Sequence, residues 1–169
     1  MKNKTEKIQI KQAAKSKMTS VEWHDVGNMM QALQSQERMW IDAIAEKQLN
    51  TGMIAIGYIP DELSLKEIKA KCKNAKLLLA YVNEELAGYC SLTTNEELDC
   101  MTCNWLYVKK EHRRKGVATA LLKFALDLVH SEKLSSLDLR VSSMNDTALN
   151  LYKKLGFSPT AYMLEKWVR

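Results

Sequence analysis

The densest concentration of chemistry in this sequence is Val108-Lys-Lys-Glu-His-Arg113-Arg-Lys-Gly116-Val-Ala118. Between Lys109 and Lys115 stand five basic residues and one acid, Glu111, a local excess of four positive charges. A strand-like segment ends here and a helix begins at Gly116. The first turn of a helix carries N–H groups with no internal partner, and the helix dipole adds positive charge there. Glycine lets the backbone come close to a ligand. Together these features suit a pyrophosphate better than a lone carboxylate. A solvated basic loop capping a helix is the competing reading. Two other phosphate motifs are excluded: Lys115 precedes Gly116, against a P-loop, and no G-x-G-x-x-G is present.

Four cysteines, Cys72, Cys90, Cys100 and Cys103, include one C-x-x-C. Zinc would need a second pair or nearby histidines, and His24, His112 and His130 are not spaced for it. The pair enters a strand-like run rather than opening a helix, so all four read as structural and no metal site is expected. The net charge of +5 is local too. Residues 1–20 hold six lysines (Lys2, Lys4, Lys7, Lys11, Lys15, Lys17) against Glu6, and residues 21–169 hold nineteen charges of each sign. That tail lacks interleaved aromatics, so nucleic acid is not the expected partner. The longest apolar run, Leu77 to Val82, is far shorter than the ~20 residues of a membrane helix. The lysine-rich start has no apolar signal core. A cytoplasmic protein without a membrane partner is expected.

Around the basic loop the elements follow from periodicity. Ile8 to Lys11 alternates as a short strand. Val21 to Asn50 reads as helix in two pieces, with a methionine-rich core stripe, closed at Gly52. Asp61 to Asn74 reads as helix, with Asp61 and Glu62 in its first turn. Leu77–Val82 and Leu86–Thr93 form a hairpin around Asn83-Glu84-Glu85, and Cys100–Val108 is a third strand. With only six glycines, few tight hairpins are expected. Val117–His130 is a helix with one narrow polar stripe, Thr119, Lys123, Asp127 and His130. Leu137–Val141 is a strand, Asn145–Leu155 a helix capped by Gly156, and Tyr162–Val168 a last strand. The strand–helix–strand unit at 102–141 implies a crossover. The fold class is α/β: a mixed, mostly antiparallel sheet with helices on both faces.

Arg113-x-x-Gly116-x-Ala118 resembles the (Q/R)-x-x-G-x-(G/A) motif of the GCN5-related N-acetyltransferase (GNAT) family, and Leu106-Tyr107-Val108 resembles its L-Y-V strand end. Asn145-x-x-Ala148-x-x-x-Tyr152-x-x-Leu155-Gly156-Phe157 is similar to its N-x-x-A-x-x-x-Y-x-x-x-G-F helix. The resemblance covers residues 102–157 well, 77–93 loosely and 1–75 only as a run of helices. It implies a single N-acetyltransferase domain over 1–169, with its sheet splayed at the centre. Residues 1–7 would be a basic lead-in, 8–75 acceptor-side helices and 76–169 the acetyl-CoA-binding core.

The same resemblance assigns roles. Amides of Arg114, Lys115, Gly116, Val117, Ala118 and Thr119 would cradle the pyrophosphate of acetyl-CoA, with Arg113 beside it. Backbone groups of Leu106 and Val108 would pair with pantetheine, at a bulge in the sheet. The Val108 N–H would polarise the thioester carbonyl. Asn145 would bond the pantetheine arm. Tyr152 would protonate the departing thiolate; the alternative is a core aromatic. Two departures stand out. Lys110 replaces a frequent proline, and Met101-Thr102-Cys103-Asn104 lacks the glutamate that many members use as base. The base is unassigned: Asp99 or a water chain.

The implied function is transfer of an acetyl group from acetyl-CoA to a primary amine by direct attack, on a small molecule or a peptide. From Leu77 to Val108 there is no lysine or arginine but five acids, Glu84, Glu85, Glu96, Glu97 and Asp99. They would steer a cationic acceptor, or they are two solvated turns. A non-catalytic acyl-CoA-binding module on the same fold is the alternative function. The exposed edges of such a sheet suit a homodimer.

Overall fold

The computed structural model describes residues 7–49, 63–162, 164 and 166. Packing divides the chain into two compact units, Met1–Gln31 with Glu62–Arg140, and Ala32–Asp61 with Val141–Arg169.

The first unit is built on a five-stranded sheet in chain order: β1 (Ile8–Gln12), β2 (Lys76–Val82), β3 (Glu85–Asn95), β4 (Cys100–Val108) and β5 (Ser136–Leu139). Pairing is antiparallel except between β4 and β5, where the crossover through α3 (Val117–Ser131) makes it parallel. In β2 alternate residues point to opposite faces. Leu77 and Leu79 join a core with Trp23, Val26, Met29 and Met30 of α1 (Ser20–Leu49) and Ile68 of α2 (Leu65–Lys71). α3 packs across all five strands through a buried stripe of Val117, Leu121, Leu122, Ala125 and Val129.

Several elements differ from expectation. α1 is one continuous helix rather than two pieces. Its interior Gly27 is a packing site and not a break, because a Cβ there would collide with Ile68 Cδ1. The helix starts on a capping box: the Glu22 N–H donates to Thr19 Oγ1 (3.2 Å) and the Thr19 N–H to Glu22 Oε2 (2.8 Å). α2 starts the same way on Ser64 and Glu67. Its expected first turn at Asp61 and Glu62, like the expected stop at Gly52, lies outside the described residues. The β2–β3 hairpin turns on two residues without glycine, since Asn83 (φ 50°) and Glu84 (φ 71°) take the left-handed conformation that a type I′ turn requires. Of the expected last strand, Tyr162, Leu164 and Lys166 are not in a strand, and the other four residues lie outside the described set. Tyr162 and Leu164 are exposed, so no sheet face covers them. No described helix is long and apolar enough to cross a membrane.

In the second unit the chief element is α4 (Asp146–Lys154). Asn145 caps it by accepting from the Ala148 N–H at 3.1 Å. It ends in a Schellman motif: Gly156 is left-handed (φ 88°), its N–H donates to Lys153 O, and the Phe157 N–H donates to Tyr152 O.

Candidate functional site

β4 carries the site because its two halves are paired differently. Cys100–Cys103 is bonded to β3 on one side and to Ser136–Leu139 on the other. β5 ends at Leu139, two residues earlier than expected, and no described strand replaces it beside Asn104–Val108. The parting coincides with a bulge. Leu92 faces Cys103 and Ser91 faces Trp105, so Asn104 is the extra residue. It stays exposed, and its Nδ2 donates to Thr93 Oγ1 at 3.0 Å. Here the sheet splays, as the resemblance implied.

Beyond the bulge, backbone direction follows from alternation. The Lys109 N–H donates to Ala87 O of β3 at 2.9 Å, so Tyr107 also faces β3, and Leu106 and Val108 turn their N–H and C=O groups to the open edge. Gly88 opposite Val108 keeps the strands this close: a Cβ there would lie 2.6 Å from Tyr107 O. The Val108 carbonyl accepts from Arg113 Nε at 3.0 Å, and the Arg113 guanidinium lies 5.5 Å from the Tyr107 ring centroid. Arg113 is thus fixed against the end of β4.

The loop between β4 and α3 is anchored from both sides. Lys109 Nζ lies 3.6 Å from Asp25 of α1, and buried His112 lies 3.4 Å from Glu85 at the start of β3. Arg114 (φ 64°) and Gly116 (φ 86°) are both left-handed. The first intrahelical bond of α3 is from Ala120 N to Gly116 O, and no side chain caps the helix. The N–H groups of Gly116, Val117, Ala118 and Thr119 therefore have no acceptor within the helix. The residues expected to form the cradle, Arg114 to Thr119, and those expected to form the open edge, Leu106 and Val108, fall in one unit, on the start of α3 with the turn before it and on the end of β4.

Tyr152 and Asn145 belong to the other unit. Tyr152 is buried, and its ring meets that of Phe157 at 5.9 Å, the contact that accompanies the Schellman cap. Asn145 uses its side-chain oxygen in the helix cap, which leaves its amide N–H groups as the part that can donate.

A cleft of about 600 Å³ opens on the first unit, walled by the α2 end (Lys71, Lys73, Asn74), by β3 and β4 (Thr93, Asn104, Trp105) and by Arg140. None of its described lining residues is acidic. Asp99 is not in the cleft: it sits in the β3–β4 turn, where its carboxylate accepts from Ser135 Oγ and its carbonyl from the Ser135 N–H. The C-x-x-C is not a pair, because residues three apart in a strand point to opposite faces. Cys103 Sγ lies instead 3.5 Å from Cys90 Sγ, and the hydrogen bond between them, with burial, holds the Cys90 thiol protonated well above its ordinary pKa.

A mixed sheet that parts at a bulge thus runs through a basic loop into a helix whose first amides have no acceptor within it. Residues 57–157 match the Acetyltransferase (GNAT) family, and the chain belongs to that family. A streptothricin acetyltransferase from Escherichia coli is 34% identical over 79 residues, which cover 47% of this chain and 45% of that one, so the match spans less than half of this relative. Among solved structures, the chain superposes on the ribosomal-protein-S18-alanine N-acetyltransferase of Escherichia coli with a TM-score of 0.61, at 17% identity over 92% of this chain and 80% of that one. It superposes on an aminoglycoside acetyltransferase from an uncultured soil metagenomic sample with a TM-score of 0.58, at 14% identity over 96% and 95%. At these identities the two likenesses concern the fold alone.

Proposed function

We propose that residues 1–169 act as one N-acetyltransferase domain that moves an acetyl group from acetyl-CoA to a primary amine. The observation that carries this reading is the run of bare amides at Gly116–Thr119 beside a strand edge whose Leu106 and Val108 groups point outward. The Arg114–Thr119 amides would hold the pyrophosphate, with the loop's positive charge and Arg113 next to it. Leu106 and Val108 would pair with the pantetheine amides, and the Val108 N–H would meet the thioester carbonyl as charge develops on its oxygen. Asn145 would donate to the pantetheine arm. Acetyl-CoA supplies the activated acyl group. The amine attacks in its neutral form, its proton leaves through water, and Tyr152 protonates the departing thiolate.

The test is thiol release with a panel of amines, beside thermal unfolding with and without acetyl-CoA. Acetyl-CoA is expected to raise Tm by mass action. Tyr152→Phe is expected to slow thiol release by about 10²–10⁴-fold while keeping the Tm shift. Gly116→Val, which forces a β-branched residue to φ 86°, is expected to abolish the shift. No Tm shift in the wild type overturns the proposal. The acid-free cleft favours one alternative, a non-catalytic acyl-CoA-binding module, for which the shift occurs and no amine releases thiol.

A further inference from the structure

The charge around the cleft is the reverse of what the acids between residues 77 and 108 suggest. Glu84 and Glu85 lie at the β2–β3 turn, where Glu85 faces His112, and Glu96, Glu97 and Asp99 lie at the β3–β4 turn. None lines the cleft. Among the described residues its charged groups are Lys71, Lys73 and Arg140, and its neutral polar groups include Asn74, Asn104 and Thr93. The wall bearing Lys73 and Asn74 is built rather than loose. The Lys15 ammonium donates to the carbonyls of Cys72 (2.9 Å), Lys73 (2.7 Å) and Ala75 (2.9 Å), which ties down the turn after α2. The opposite wall is β4 around the bulge, from Thr102 to Trp105, where the open edge starts.

A cationic body in this cleft would meet three like charges, which disfavours binding and disfavours the protonated state of any amine. An oxyanion would meet two ammonium groups and a guanidinium, whose fork matches a carboxylate or a phosphate. We infer that the cleft takes an acceptor that carries an oxyanion, carboxylate or phosphate, on the same molecule as the amine, with Lys71, Lys73 and Arg140 selecting it. This rests on the acetyltransferase reading and sets its substrate class.

The experiment compares acceptors that differ only in that charge: glucosamine 6-phosphate against glucosamine, and phenylalanine against phenylalaninamide. The charged member of at least one pair is expected to have a kcat/KM higher by about tenfold, as one charge-assisted contact provides. The pair that responds tells phosphate from carboxylate. All three cations are exposed, so Lys73→Gln with Arg140→Gln is expected to fold normally, to erase the preference and to leave KM for acetyl-CoA unchanged. The absence of a wild-type preference for the charged member in both pairs, or a preference that survives in the double variant, overturns the inference. If no acceptor turns over, calorimetry decides. Binding of an anionic probe that the double variant loses supports the inference. Acetyl-CoA binding without any anionic probe overturns it alone, and failure of acetyl-CoA itself to bind overturns the reading beneath it.

Discussion

From Cys100 to Cys103, β4 lies between β3 and β5, and all but Thr102 of its side chains are buried. From Asn104 to Val108 it pairs, among the described residues, with β3 alone, and its side chains are half-buried or exposed. Composition does not separate the halves, since Trp105, Leu106, Tyr107 and Val108 are as apolar as Met101 and Cys103. The length of the neighbouring strand does. A four-residue β5 closes one half and leaves the outward backbone groups of the other available. A single strand therefore contributes stability at one end and binding capacity at the other, and substitutions at the two ends are expected to differ in kind.

The largest effect is expected in the closed half. Met101 is fully buried, and Met101→Ala is expected to destabilise by about 2–5 kcal/mol in urea unfolding. The protein that remains folded is expected to bind acetyl-CoA as before. In the open half, Gly88→Ala is expected to lose about 1–3 kcal/mol, because its Cβ would press on Tyr107 O. It should also weaken acetyl-CoA binding, since relief of the clash displaces Leu106 and Val108. Loss of ligand affinity in Met101→Ala but not in Gly88→Ala would break the distinction.

A smaller effect marks the control region. Tyr81, on β2 and so not paired with β4, donates to Glu22 at 2.7 Å. Tyr81→Phe is expected to cost about 1 kcal/mol at neutral pH without changing affinity. That hydrogen bond, followed by the Thr19 backbone bond, holds the Glu22 carboxyl below its usual 4.5. Its stabilisation is present above that value and is lost as pH falls through the folded pKa. The Tyr81 hydroxyl is shifted upward, by burial first and then by Glu22, so its stabilisation is present below its usual 10.0 and is lost as pH rises beyond it. Unfolding curves at both extremes should show the variant and wild type converging.

Legibility in the sequence followed the same physical divide. β4 and the start of α3 were readable to the residue, because dense apolar patterning and the glycine at 116 are local signals. The Gly156 cap was readable for the same reason. The two capping boxes are local signals as well, Thr19-x-x-Glu22 and Ser64-x-x-Glu67, and they mark the helix starts more sharply than apolar periodicity does. The short β5 and the continuous α1 depend on which neighbour arrives at a given strand or helix, which periodicity does not encode. Of the candidate site, the basic loop and the strand end were legible. The cleft's cations were not, because Arg140 lies far along the chain from Lys71 and Lys73 and no local pattern joins them. Lys15, one of the six N-terminal lysines that composition left without a role, proves to be a clasp on the turn after α2.

The brevity of β5 also has a consequence for the protein's life in solution. An unpaired strand edge is a ready template for another chain, and proteins blunt such edges with bulges, charges or covers. Here the bulge at Asn104 and the Arg113 hydrogen bond to Val108 O guard the two ends of the open stretch, while no described strand pairs with its middle. A ligand lying along that stretch would shield it as a partner strand does. If the proposed ligand lies there, the ligand-free form is expected to self-associate more readily, and solubility would depend on the chain and its small-molecule guest together.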